Sequence, residues 1–142
     1  MEDRRIFFLI HRAQRRLQKI SNKLFIESLG VSSAQMAAIF FLLKNDGCLL
    51  KELSEGLDLN NSAITGLVNR MDKAGLIKKE KCAEDGRAFR IFLTNKSKDL
   101  APKAFPLMQE SNKIITKNFS EEEVNIVIRF LNEIVRLEVV KQ

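Results

Sequence analysis

Ile6, Ile10, Ala13, Leu17, Ile20 and Leu24 recur at alternating steps of four and three, the spacing that lays one apolar stripe along a helix. It predicts a long first helix from about Asp3 to Ser28, with an apolar face longer than one small core can cover. Part of that face is expected to pack against another chain. Gly30 ends the segment, and Ser32-x-x-Gln35 has the form of a capping box, in which hydroxyl and amide satisfy each other's backbone N–H groups. A second helix is expected over Ser33–Lys44. After the turn Asn45-Asp46-Gly47 come a short helix over Leu50–Gly56 and another over Asn60–Ala74, with Asn60 as N-cap and Gly75 as stop.

The pattern changes at Leu76. The extended stretches LIKKEK and AFRIFL flank the polar turn Cys82-Ala83-Glu84-Asp85-Gly86-Arg87, which reads as a β-hairpin with a loop longer than two residues. A helical segment capped by Thr94 follows, and a break or kink is expected at Pro102 and Pro106, because proline lacks the N–H donor and clashes one turn back. The last helix opens on a second capping box, Ser120-x-x-Glu123. It carries Val124, Val127, Ile128, Leu131, Ile134 and Val135 on one face.

The segment from Leu53 onward supplies what a helix-turn-helix needs, two short helices crossing steeply over a small shared core. Leu53, Leu57, Leu59, Ile64 and Leu67 are its apolar positions, Ser54 is the small residue at the close approach, and Asp58 occupies the turn. Glycine is commonest at such a turn, but aspartate tolerates the left-handed backbone well. The following helix presents Asn61, Ser62, Thr65, Gly66, Asn69 and Arg70 outward, mostly short hydrogen-bonding groups able to reach base edges and phosphates. Gly66 costs about 1 kcal/mol against alanine inside a helix, so close approach to a groove or a neighbouring helix is expected there. A basic hairpin directly after a helix-turn-helix is the winged-helix layout, here with Lys78, Lys79, Lys81 and Arg90 on the strands and Asp85 and Arg87 at the tip.

Composition narrows the alternatives. The chain of 142 residues has 45% hydrophobic and 30% charged residues, as soluble single-domain proteins do. No apolar run reaches the roughly 20 residues of a membrane span, and Ile6–Ile10 is too short for a signal-peptide core, so a cytoplasmic location is expected. Net charge is +6, which favours a polyanionic partner. Cys48 and Cys82 lie far apart without CxxC spacing and His11 is the sole histidine, so no metal site, cofactor or disulfide framework is expected. A nucleophile–base arrangement and a glycine-rich phosphate loop are both missing, which argues against an enzyme. Glu121-Glu122-Glu123 is better explained as favourable charge at a helix N-terminus than as a general acid.

In Asp85-Gly86-Arg87 followed by Leu93-Thr94, and in the preceding MDKAGLIKKE, the chain resembles the MarR family of transcriptional regulators over essentially its whole length. The resemblance implies a mainly α fold with a small β-wing, divided into an N-terminal dimerisation helix (1–30), a winged helix-turn-helix core (31–94) and C-terminal dimerisation helices (95–142). It further implies a homodimer on a pseudo-palindromic duplex, with Arg87 matching the family's wing arginine for the minor groove and Asp85 the residue that orients it. The family often responds to small molecules, which makes a repressor released by an effector the expected arrangement. Met36, Phe40 and Phe41 could face such a ligand, although their helical spacing suits a core equally well. Ser54, where the family usually has alanine, and the two prolines depart from its pattern. The alternative is a winged-helix protein-interaction module without direct DNA binding.

Overall fold

The computed structural model describes Glu2 and residues 4–138. Its elements run α1 (Ile6–Leu29), α2 (Ser33–Lys44), β1 (Cys48–Leu49), α3 (Leu50–Gly56), α4 (Asn61–Lys73), β2 (Ile77–Lys81), β3 (Phe89–Leu93), α5 (Asn95–Thr116) and α6 (Glu121–Val135). The expected helix start at Asp3 lies outside the described residues. Both capping boxes form: Gln35 N–H donates to Ser32 Oγ at 3.1 Å and Ser32 N–H to Gln35 Oε1 at 2.9 Å. Ser120 and Glu123 repeat that geometry at the start of α6.

The chain divides into two units, the first through Leu107 and the second from Met108. The first holds a continuous core in which Met36, Ile39, Leu42, Leu53, Ile64 and Met71 from α2, α3 and α4 meet Ile77 and Ile91 of the sheet. Met36 is buried, while Phe40 and Phe41 are half-buried against that core and Phe40 meets Phe105 in a tilted contact, 5.5 Å between ring centres and 45° between planes. All three therefore belong to the packing. A strand that the alternation of residues did not reveal, β1, pairs antiparallel with β3, so the hairpin becomes a three-stranded sheet of order β1-β3-β2. Two side chains fasten this junction: Asp46 Oδ1 accepts from Leu93 N–H at 2.8 Å, and Arg90 Nη1 donates to the Gly47 carbonyl at 2.9 Å.

The break expected at Pro102 and Pro106 does not occur; α5 continues through both. Ala101 and Ala104 face the core while both prolines lie on the exposed side. The carbonyls deprived of a donor, Lys98 and Pro102, belong to exposed residues and can turn to water.

In the second unit the end of α5 and α6 enclose an apolar groove of about 620 Å³, lined by Ile115, Phe119, Val124, Val127, Ile128 and Leu131 among others. No residue of α6 is buried, and Val135 is 81% exposed. Among the described residues no single helix is long and apolar enough to cross a membrane.

Candidate nucleic-acid interface

The α3–α4 corner is built by local chemistry. Asp58 adopts φ +53°, the one non-glycine residue with positive φ among those described, and lets the chain reverse after α3. Leu59 N–H then donates to the Ser54 carbonyl at 3.0 Å, and Ser54 Oγ returns a hydrogen bond to the Leu59 carbonyl at 2.6 Å. Buried Ser54 thus satisfies a turn carbonyl, which an alanine at this position would leave without that donor. Gly56 lies against one edge of the Phe41 ring, a second close approach that the sequence pattern did not single out. Asn60 caps α4 by accepting from Ala63 N–H at 2.8 Å.

Ile64, Leu67, Val68 and Met71 bury one side of α4. That packing leaves Asn61, Ser62, Thr65, Asn69 and Arg70 exposed, with Gly66 half-exposed between them. A methyl group at Gly66 would meet only the end of the Arg70 side chain, at 3.1 Å, and no neighbouring helix. Of the two reasons expected for this glycine, close approach to a neighbouring helix is not found among the described residues.

The wing residues divide between two faces. In the antiparallel register Lys79 pairs with Ile91 and Lys81 with Phe89, whereas Glu80 pairs with Arg90. Paired residues share a face, so Lys79 and Lys81 lie on one side and Arg90 on the other. Lys79 Nζ reaches back to Asn69 Oδ1 at 3.0 Å, joining α4 to β2. Because an ammonium only donates, the amide oxygen must face Lys79, leaving the Asn69 NH₂ for other acceptors. Arg90, grouped by the sequence pattern with Lys79 and Lys81, is half-buried, and its Nη1 donates to the Gly47 carbonyl. That bond ties the wing to the turn before β1.

Asp85 orders the wing tip. Its Oδ1 accepts from the backbone N–H of Arg87 at 3.0 Å, and Ala88 N–H closes the turn on the Asp85 carbonyl at the same distance. The orientation of Arg87 thus comes through its main chain, and its side chain stays exposed. A hollow of about 390 Å³ between the starts of α3 and α4 and the base of the wing is edged by Lys51, Asn61 and Arg87. Lys51 escapes sequence reasoning because a single lysine on a short helix creates no periodic signal. In the same loop the Cys82 thiol has a lowered pKa, chiefly through the backbone N–H of Asp85 and then that of Glu84, with Arg90 assisting. Its own loop covers it, but it stands apart from the core. Cys48, buried beside Glu52, is pushed up.

A family model described as the MarR family matches residues 29–88. The HTH-type transcriptional regulator MgrA of Staphylococcus aureus is 28% identical over 130 residues, covering 90% of this chain and 86% of its own. Among solved structures, a MarR protein from Peptoclostridium difficile superposes with a TM-score of 0.83 at 24% identity, over 96% of this chain and 88% of the other. A mutant MarR from E. coli complexed with operator DNA gives 0.81 at 20% identity, over 91% and 92%.

Proposed function

We propose that the chain, which a MarR family model matches over residues 29–88, is a winged-helix transcriptional regulator of that family that reads duplex DNA with α4 and grips the backbone with its wing. The observation that carries this reading is the exposed polar face of α4 beside a basic strand, with the other side of α4 buried. Asn61, Ser62, Thr65 and Asn69 are assigned to base edges and backbone in the major groove, and Gly66 to close approach. Arg70, Lys79 and Lys81 are assigned to phosphates, and Arg87 to the minor groove or flanking phosphates, where negative potential is concentrated. Asp85 presents Arg87, and Arg90 holds the wing.

The working form is proposed to be a homodimer in the cytoplasm. Residues 1–30 and 95–142 supply the dimerisation helices and residues 31–94 the DNA-binding core. The uncovered apolar face of α6 supports this, since a patch of that kind marks an interface. Two-fold symmetry then requires a pseudo-palindromic operator with half-site centres roughly 34 Å apart. Repression released by a small molecule is the regulatory form proposed. A hollow of about 600 Å³ between α1, α2 and the α3–α4 turn, lined by Leu17, Ser21, Ala37 and Leu57 among others, offers room for an effector. No catalytic step enters this reading.

Selection of bound duplexes from a random pool defines the operator, and light scattering should give twice the mass of one chain. With that operator, Arg87→Ala should weaken specific and non-specific duplexes alike and reduce the salt slope by about 1, whereas Ser62→Ala and Thr65→Ala should narrow the gap between them. Wild-type behaviour of Arg87→Ala across a salt titration would remove the wing assignment. Unchanged discrimination in both α4 variants would remove the recognition-helix assignment.

A further inference from the structure

We propose that Asn22 is a positioning residue: its side-chain oxygen fixes the angle between α1 and the winged core, and so the spacing at which the two α4 helices of a dimer meet DNA. This rests on the DNA-binding reading above. The two helices meet at 77° across the short link of residues 30–32. At the link Gly30 takes φ +72°, with no side chain to restrain the corner. Phe25 is the one buried side chain of α1, and apolar burial is non-directional. It holds α1 against the core without defining the angle sharply.

Asn22 supplies the direction. Its Oδ1 accepts from Ser33 N–H at 2.8 Å and from Ser33 Oγ at 2.7 Å, both partly shielded from water. Ser33 is the first residue of α2, so its N–H has no partner inside the helix. Ser32 already serves Gln35 N–H, and the first turn of α2 is therefore satisfied from two sides, by its own cap and by α1. Two short bonds to a single oxygen restrict both the separation and the rotation of α1 at that point. Beyond it, α1 continues from Asn22 to Ile6, about 24 Å at ~1.5 Å per residue. A change of about 10° at the corner would move that end by roughly 4 Å, slightly more than one ~3.4 Å base-pair step. Where α1 helps hold the partner subunit, such a shift alters the distance between the two recognition helices.

The test uses the full-length protein, the selected operator, and two derivatives whose half-sites are moved one base pair closer or farther apart. Wild type should lose about tenfold in affinity on each derivative, while Asn22→Ala should lose less than about threefold, having bound the original operator more weakly. Asn22→Asp keeps an acceptor oxygen near the positive end of α2 and should behave as wild type. A non-operator duplex should bind all three alike, and circular dichroism should show them equally folded. If Asn22→Ala does not fold, Ser33→Ala, which removes only the hydroxyl bond, takes its place with a smaller loss of spacing discrimination. A wild-type spacing penalty in a folded Asn22→Ala, or failure of Asn22→Asp to restore it, overturns the assignment while leaving the DNA-binding reading intact. Wild-type protein with no preference for any duplex would sink both together.

Discussion

Replacing Gly56 by alanine places a methyl group against the Phe41 ring, and the structure sets the size of the effect. The new Cβ would stand 2.1 Å from Cε2, 2.6 Å from Cζ and 2.8 Å from Cδ2. Carbon atoms pack at about 3.5 Å or more, so the ring edge must retreat by roughly 1.4 Å. Phe41 is half-buried against the core and cannot swing clear without losing contacts there. Overpacking of this kind costs about 1–3 kcal/mol. Alanine's helical advantage over glycine, ~0.5–1 kcal/mol, offsets part of this, at its low end because Gly56 is the last residue of α3. A net loss of about 1–2 kcal/mol follows. Urea unfolding monitored by circular dichroism would measure it, at one fixed protein concentration because the proposed dimer would make stability concentration-dependent. Combining the change with Phe41→Leu should recover about 1 kcal/mol relative to additivity. An unchanged or raised midpoint in Gly56→Ala, or the same penalty with the shorter side chain present, would refute the reasoning.

Pro102→Ala restores a donor toward the Lys98 carbonyl on the exposed side of an already continuous helix. It should raise the urea midpoint by the equivalent of about 2–2.5 kcal/mol, the ~3 kcal/mol helical penalty of proline less the ~0.4–1 kcal/mol gain in unfolded-chain freedom, with far-ultraviolet ellipticity almost unchanged. The Cys82 thiol, held below its ordinary pKa of 9.0 by the backbone N–H groups of Asp85 and Glu84, should become alkylated at lower pH than Cys48, whose pKa is raised although both thiols are equally covered, as mass spectrometry of the single serine variants would report. Because the folded thiol ionises first, wild type should gain stability over Cys82→Ser as pH rises through the folded pKa. That gain should be fully present above the unfolded value and lost again as pH falls.

The parts of the fold visible in the sequence were those specified within a few residues. Ser32, Asn60 and Ser120 mark helix starts because a cap is a local hydrogen bond, and Asp58 was readable because few side chains accept a left-handed turn. What escaped depends on residues distant along the chain. β1 is two residues long, too short for alternation to register, and exists because β3 comes alongside it. Arg90 looks like another wing cation until its guanidinium is found on Gly47, 43 positions away. The prolines of α5 carry no sign of which way they face; that is decided by Ala101 and Ala104 turning toward the core. At the interface, the polar face of α4 was evident from periodicity, but the Lys79–Asn69 bond, and with it the direction of the Asn69 amide, required the strand and the helix to be seen together.

The sheet order β1-β3-β2 leaves β2 on the outside, with a row of backbone groups open to solvent. An open edge is a template for another strand, and proteins commonly guard it with lysine, because bringing two such edges together would set like charges against each other. Lys78, Lys79 and Lys81 stand along this edge, exposed. The ammonium groups proposed to attract phosphate would therefore also keep free molecules from sticking to one another through their wings. On the proposed reading, duplex DNA and self-association draw on opposite responses of one strand: an anion is welcomed, a second copy repelled. A variant with these lysines neutralised would lose affinity and solubility together, so weakened binding in such a variant is interpretable only beside a measurement of aggregation.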